Sequence, residues 1–211
     1  MKAISFGLLI LALTFCGLSD KLKQMSAGPG GGGNGNASSG GQTSNNAPDA
    51  KPAEPTAAQQ AIIDGAVETA WKEQGISWRL PKGWSKMEVN KDSFNFQGPD
   101  AGFLLVSIST LNDNFPMETS LQAYYDQALQ QMKNGKYTSA KMVSIDGIPG
   151  VEFIEASPNG KEDPQRHQWI AYRRYLGSVQ QLNVMTSSKA SSFGTHTDDF
   201  TAILYSMKQQ Q

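Results

Sequence analysis

Apolar residues recur at helical spacing in three stretches of the chain. The first stretch covers residues 57–73, and its stripe consists of Ile62, Ile63, Ala66, Val67, Ala70 and Trp71. The second begins at Leu121 and continues to Met132, with Thr119 or Ser120 as the expected N-cap. The third contains Phe200, Ile203, Leu204 and Met207, with Thr195 or Thr197 as its cap. These patterns predict three amphipathic helices.

Shorter stretches between the helices have the alternating or continuous apolar pattern of β-strands. They cover residues 76–80, 84–89, 94–96, 103–110, 140–145, 150–156, 168–176 and 179–186. The stretch at 103–110 starts with an unbroken apolar run, which favours a central strand. Asp146-Gly147 and Leu176-Gly177-Ser178 are turn sequences, and the second predicts a long hairpin.

The order of these elements defines the expected architecture. Helices and strands follow one another as α-β-β-β-β-α-β-β-β-β-α, and short turns join consecutive strands. Such an order predicts an α+β fold in which an antiparallel β-sheet is flanked by helices. We assign residues 57–211 to this single domain, whose length of about 150 residues is common for one domain.

The N-terminus has the features of an export signal. Lys2 precedes an apolar run that ends at Cys16, the only cysteine of the chain. The twelve residues of this run, 4–15, would rise about 18 Å as a helix, less than the hydrocarbon core of a bilayer, so we interpret residues 1–16 as a signal peptide. Leu13-Thr14-Phe15-Cys16 resembles the bacterial lipobox, in which the cysteine is diacylated and becomes the new N-terminus.

The signal peptide leaves two alternatives for processing. Lipidation of Cys16 is the favoured alternative, although the lipobox prefers a small residue where Phe15 stands. Cleavage before Asp20, after the small residues of Gly17-Leu18-Ser19, would instead give a soluble periplasmic protein. Acyl chains would anchor the protein to a membrane. By resemblance to Gram-negative lipoproteins, Gly17 after the cysteine slightly favours the outer membrane.

Residues 17–56 are predicted to be a disordered tether. From residue 26 onward the tether is rich in Gly, Ser, Asn and Pro, and apart from alanine it lacks apolar side chains. Such a composition cannot offset the entropy cost of ordering. About thirty residues of flexible chain span roughly 30 Å.

Several segments of the domain resemble the Mog1/PsbP-like superfamily. They are WRLPKGW (78–84), FLLVSIST (103–110), the helix from Leu121, DGIPGVEF (146–153), the hairpin at 173–184 and AILYSMK (202–208). The resemblance implies a central antiparallel sheet between helices. It also implies proteins that mostly bind partners or assist the assembly of complexes, without shared catalytic residues.

Charge and candidate chemistry narrow the function further. The chain has 18 Lys and Arg against 19 Asp and Glu, so nucleic-acid binding through charge is not expected. His167 and His196 are expected to be separate surface residues, which predicts no metal site. Glu152 and Glu155 are expected on opposite faces of their strand. We therefore predict no catalytic residues, no cofactor and no enzymatic activity.

One cluster of aromatic and basic residues is a candidate interaction surface, because these residue types are enriched at binding hot spots. It consists of Arg166, Trp169, Tyr172, Arg173, Arg174 and Tyr175. The alternative is a strand whose rings pack under a helix while the arginine stems extend to solvent.

The sequence thus predicts a non-enzymatic lipoprotein of the bacterial cell envelope that binds a protein partner or assembles a complex. Its alternatives are a soluble periplasmic protein that binds a small ligand and a hydrolase whose site combines residues distant in sequence.

Overall fold

A large, mostly antiparallel sheet organises the computed structural model, which describes residues 49–210. The signal peptide, Cys16 and most of the predicted tether lie outside the described residues. The sheet has eight strands in the order β1-β7-β8-β9-β10-β6-β5-β4. The strands are β1 (Lys51–Pro52), β4 (Ser85–Val89), β5 (Ser93–Gln97), β6 (Phe103–Leu111), β7 (Tyr137–Ile145), β8 (Ile148–Glu155), β9 (Pro164–Tyr175) and β10 (Ser178–Lys189).

Two tight hairpins set the register of the sheet. In the β7–β8 turn, Asp146 and Gly147 have φ values of 49° and 82°, and in the β9–β10 turn Leu176 and Gly177 have φ values of 49° and 83°. Two consecutive positive φ values define the turn type that matches strand twist. The predicted turns are present, and β6 lies centrally between β10 and β5.

A second sheet of three strands has the order β11-β3-β2. Its strands are β2 (Val67–Trp71), β3 (Ile76–Leu80) and β11 (Lys208–Gln209). β3 pairs antiparallel with β2, which follows the first helix, on one side. On its other side it pairs antiparallel with β11, near the end of the chain.

Three helices complete the fold: α1 (Ala57–Gly65), α2 (Met117–Lys133) and α3 (Ala190–Tyr205). α2 packs on one face of the large sheet, beside Val151, Phe153, Ile170 and Tyr172. α3 and the small sheet pack on the other face, around Trp169, Ala171, Leu182 and Val184. We call these the α2 face and the α3 face. The predicted α+β architecture is confirmed.

The prediction that the first helix continues to residue 73 is wrong. Thr56 caps α1 in a capping box with Gln59, and the helix ends at Gly65. Residues 67–71 form β2 instead, with Trp71 fully buried beside Trp78 and Phe94. Val67 and Trp71 are four residues apart, a spacing that places two residues on the same side of a helix and also on the same side of a strand. The apolar pattern therefore did not distinguish the two.

The predicted caps of the other two helices are also wrong. α2 begins after Pro116, so Thr119 and Ser120 lie within its first turn. α3 begins at Ala190, and the Thr195 hydroxyl donates to the Ser192 carbonyl inside the helix. Hydroxyl side chains bond to a carbonyl of the preceding turn as readily as they cap, so their presence alone does not mark a helix start.

The last residues of the predicted tether take part in the folded unit. Lys51 and Pro52 pair in parallel with Val143 and Ser144 of β7. Ala53 donates its N–H to the Ser144 carbonyl, and Thr56 caps α1. The chain therefore enters the domain along the edge of the large sheet.

Candidate functional site

A cleft of about 550 Å³ lies between α1 and the small sheet. We call it the α1 cleft. Its lining includes Ala53 and Pro55 from the entering chain and residues from the end of α3. The residues on which the argument below depends are Gln60, Ile63, Ser77, Arg79, Tyr205 and Lys208.

Strand alternation explains why polar side chains form the floor of the α1 cleft. Ile76, Trp78 and Leu80 of β3 point into the core, so Ser77 and Arg79 point the other way. Arg79 lies opposite Glu68 of β2, and Ser77 lies opposite Lys208 of β11.

Arg79 is held in place through its backbone. Its N–H donates to the Ser206 hydroxyl oxygen at 2.9 Å, and the guanidinium Nη1 donates to the Ala66 carbonyl at 3.3 Å. Among the ion pairs within residues 49–210, none includes Arg79. Arg79 is therefore a half-buried cation at the cleft that has Glu68 across from it on β2 but forms no ion pair within the described residues.

A buried polar network continues from the cleft into the protein. The Tyr205 hydroxyl, at the end of α3, donates to Glu152 Oε2 at 2.8 Å and accepts from Lys141 Nζ at 2.8 Å. Glu152 Oε1 lies 2.8 Å from His167 Nε2. Glu152 is 3% exposed and His167 is 1% exposed. We call these four residues the Glu152 network.

The network fixes the charge of Glu152. Burial alone would raise the pKa of this carboxyl, but the hydrogen bond from His167, its charge when protonated, the Lys141 ammonium and the Tyr205 hydroxyl together lower it. Burial and the neighbouring carboxylate raise the pKa of Tyr205. A tyrosine with a raised pKa keeps its proton near neutral pH, so Tyr205 is a poor general base.

The network is not arranged as a nucleophile with its base. Neither Ser77 nor Ser206, the serines that line the cleft, is hydrogen-bonded to a histidine in the described part of the chain. His167 does not line the α1 cleft, and its Nδ1 is buried without a hydrogen-bond partner. The arrangement can hold a charged carboxylate and orient Tyr205 at the cleft wall.

The prediction that His167 is a surface residue is wrong, because its side chain is buried. It lies within β9, facing Glu152 on the adjacent strand β8. Glu155 lies on the opposite face, where it pairs with Arg166, as alternation predicted. A signal was present in the sequence: Glu152 stands in the apolar run Gly150–Ile154, and a charge in a strand buried on both faces requires a partner.

Three of the six candidate interaction residues lie on the α3 face, and two of them are buried. Trp169 is fully buried, and its Nε1 donates to the Val143 carbonyl at 3.3 Å. Arg173 is 5% exposed, contacts Gln74 and Gln180, and stacks on the Tyr175 ring at 4.3 Å. Burial lowers the pKa of Arg173 to about 10, so it stays charged at neutral pH.

The other three lie on the α2 face. Tyr172 is buried beneath α2, whereas Arg174 is exposed and donates to the Asp113 carbonyl at 2.9 Å. Arg166 borders a second depression of about 470 Å³ and pairs with Glu155 at 3.0 Å. The six residues are therefore divided between two faces and do not form one continuous surface.

His196 lies near two carboxylates in the middle of α3. Its ring nitrogens are 3.5 Å from Asp100 Oδ2 and 3.6 Å from Asp199 Oδ2. Within residues 49–210, no group of three or more His, Cys, Asp or Glu residues is placed to hold a metal ion. Of the helices in residues 49–210, none has both the length and the apolar character that a membrane span needs.

Comparison with known proteins identifies solved structures with a similar fold. No protein-family profile and no curated protein matches the chain. Among solved structures, LpqN of Mycobacterium tuberculosis, described as involved in cell envelope biogenesis, is 16% identical. The match covers 76% of this chain and 99% of LpqN, with a TM-score of 0.51. The similarity to LpqN shows a shared fold.

Further structures match with lower scores. Cyanobacterial PsbP from Synechocystis is 14% identical over 69% of this chain and 93% of its own, with a TM-score of 0.44. The Ran-binding protein Mog1p of Saccharomyces cerevisiae is 10% identical over 68% and 95%, with a TM-score of 0.42. A Bacteroides thetaiotaomicron structure is 15% identical over 70% of this chain, with a TM-score of 0.45. This chain spans 49% of that protein. At these identities the similarity concerns the fold alone.

Proposed function

We propose that this chain is a non-enzymatic binding protein of the bacterial cell envelope that holds a protein partner in the α1 cleft, as a factor for assembling a complex. The observation that carries the proposal is the polar floor of the cleft, which Arg79 lines without forming an ion pair within residues 49–210. The backbone of β3 holds this floor in place before any partner arrives, which lowers the cost of binding.

Two further observations support the envelope location. The N-terminal sequence ends its apolar run at the single Cys16. LpqN, whose fold the domain shares, is described as involved in cell envelope biogenesis. Ala53 and Pro55, at the end of the predicted tether, line the cleft.

A photo-crosslinking experiment tests the binding function. Gln60 lines the α1 cleft, and Gln122 is exposed on α2, so p-benzoylphenylalanine at each position makes a matched pair. We expect irradiation in cells to join the Gln60 variant to one defined envelope protein, identified by mass spectrometry. Excess domain without the probe should compete for this product. Identical products from both positions would contradict a site in the cleft.

The mass of the membrane-bound form tests the anchor. We expect an intact mass that begins at a diacylated Cys16, because the only cysteine follows the apolar run. Cys16→Ser should move the protein from the membrane fraction to the soluble fraction. A mass that begins at Asp20 would instead identify a soluble periplasmic protein.

A hydrolase is the second candidate function, because Tyr205 connects the cleft to the Glu152–His167 pair. The raised pKa of Tyr205 and the burial of His167 weigh against it. Turnover of chromogenic ester or phosphate-ester substrates that Tyr205→Phe abolishes would favour the hydrolase.

A further inference from the structure

Asparagine is followed directly by glycine at three places in the chain. The pairs are at residues 34–35, 134–135 and 159–160, and the first lies outside the described residues. In such a pair the backbone nitrogen of glycine can attack the side-chain amide carbon of asparagine, because glycine has no Cβ to hinder the approach. Whether a pair reacts in a folded protein depends on how its backbone and amide are held.

The pair at 134–135 is fixed at the C-terminal end of α2. Asn134 is the C-cap of the helix, and its N–H donates to the Gln130 carbonyl. The Gly135 N–H donates to the Met132 carbonyl at 3.1 Å. The Asn134 side chain is also engaged, since its Oδ1 accepts from Gln130 Nε2 at 3.3 Å. The last turn of α2 must therefore open before this pair can react.

The pair at 159–160 is not held in this way. It lies at a bend in the loop between β8 and β9, and Asn159 is exposed. Neither the Gly160 N–H nor the Asn159 side-chain amide donates a hydrogen bond within residues 49–210. The attacking nitrogen and the amide that it would attack are therefore both available without any opening of the fold.

The turn around Gly160 also favours glycine after Asn159. The Asp163 N–H donates to the Gly160 carbonyl at 3.1 Å, which closes the turn. A Cβ atom at Gly160 would overlap the Asp163 carboxylate. Any other residue would have to displace this carboxylate, so the position keeps the residue whose nitrogen is least hindered.

We propose that Asn159 is a site of non-enzymatic deamidation in the folded protein, and that the fold protects Asn134. The Gly160 nitrogen forms a bond to Asn159 Cγ, and the Cγ–Nδ2 bond breaks. The amide nitrogen leaves as ammonia with the proton of the Gly160 N–H. Water then opens the resulting succinimide at either carbonyl, which gives aspartate or isoaspartate. The inference is independent of the proposed function.

The modification would change a loop that contacts the start of α3. The Lys161 and Asp163 carbonyls accept from the N–H groups of Ser191 and Ala190, at 3.0 Å and 2.9 Å. Both products add a negative charge at residue 159, and isoaspartate also lengthens the backbone there by one carbon. We therefore expect nuclear magnetic resonance signals of Ala190 and Ser191 to shift as the modified form accumulates.

Peptide mapping by mass spectrometry tests the inference on the purified full chain, incubated at neutral pH in buffer and in concentrated urea. The rate in urea gives the intrinsic reactivity of each pair, so each rate in buffer is divided by it. We expect this normalised rate to be about ten-fold or more higher for Asn159 than for Asn134, because hydrogen bonds of α2 must break first. Tryptophan fluorescence shows that the chain in buffer stays folded.

Asn159→Gln is the matched control, because its longer side chain would have to close a larger ring. The variant should lose the modification at residue 159 and keep the rates at Asn34 and Asn134. The shifts of Ala190 and Ser191 should disappear with it.

Two results would overturn the inference. One is an equal or higher normalised rate at Asn134, which would show that the helix end gives no protection. The other is an intact Asn159 in the folded chain after the same pair has reacted in urea, which would show that the loop holds the pair in an unreactive geometry.

Discussion

Glu152→Ala should lower the free energy of unfolding by about 3 kcal/mol at neutral pH, because each buried polar group left without its hydrogen-bond partner costs about 1–3 kcal/mol. The substitution leaves His167, which is 1% exposed, and the Tyr205 hydroxyl without their acceptor. Urea denaturation followed by tryptophan fluorescence measures the loss.

Glu155→Gln is the matched control, because it removes a carboxylate from the same strand on the opposite face. Glu155 pairs with Arg166 at the surface, where an ion pair contributes about 1 kcal/mol or less. Equal losses in the two variants would show that the Glu152 network adds nothing beyond a surface pair.

The same network predicts how stability depends on pH. Because the folded state lowers the pKa of Glu152, its contribution is fully present above the model-compound value of 4.5. It is lost as the pH falls from there through the lowered pKa. Glu152→Gln should therefore flatten the fall of stability below about pH 5, relative to the unmodified chain. Because the folded state also lowers the pKa of Asp146, part of the dependence of stability on pH should remain in both proteins.

Gly150→Ala should lower the free energy of unfolding by about 3 kcal/mol, at the upper end of the usual cost of overfilling a core. A Cβ atom at Gly150 would overlap the Trp169 indole and lie 2.9 Å from the Ile170 carbonyl oxygen. Neither neighbour can move easily, since Trp169 is fully buried and Ile170 is part of a strand. Chemical denaturation of the purified variant measures the effect.

Gly65→Ala provides the comparison. A Cβ there meets nothing within 4 Å, and the position ends α1, so stability should stay unchanged or rise by up to about 1 kcal/mol. Combining Gly150→Ala with Trp169→Leu should cost less than the sum of the two single changes, because the clash is shared. Strict additivity would mean that β8 shifts and relieves the overlap by itself.

Much of the sheet was predictable because strand periodicity and turn chemistry are local. β6 and the β9–β10 hairpin follow from alternation and from the Gly-containing turns at residues 146–147 and 176–177. The end of α1 was not predictable in this way, because the spacing of Val67 and Trp71 fits both the helix period and the strand period. Pairing with β3 decided between them.

The candidate site depends on contacts that no local pattern contains. Glu152 and His167 lie on neighbouring strands, and Tyr205 reaches them from α3. The α1 cleft combines residues 53–79 with residues 205–210, which are far apart in the sequence. By contrast, the aromatic and basic residues at 166–175 are adjacent in sequence, but alternation places them on two faces of the sheet.

The sequence alone determined the α+β class, the helix and strand periodicities, the hairpin turns and the resemblance to the Mog1/PsbP-like fold. The tertiary structure decided which polar residues are buried together and where an open cleft remains. The physical reason is that periodicity records only which side of an element a residue occupies. Packing between elements distant in the sequence decides whether that side meets a core, a partner for its charge or solvent.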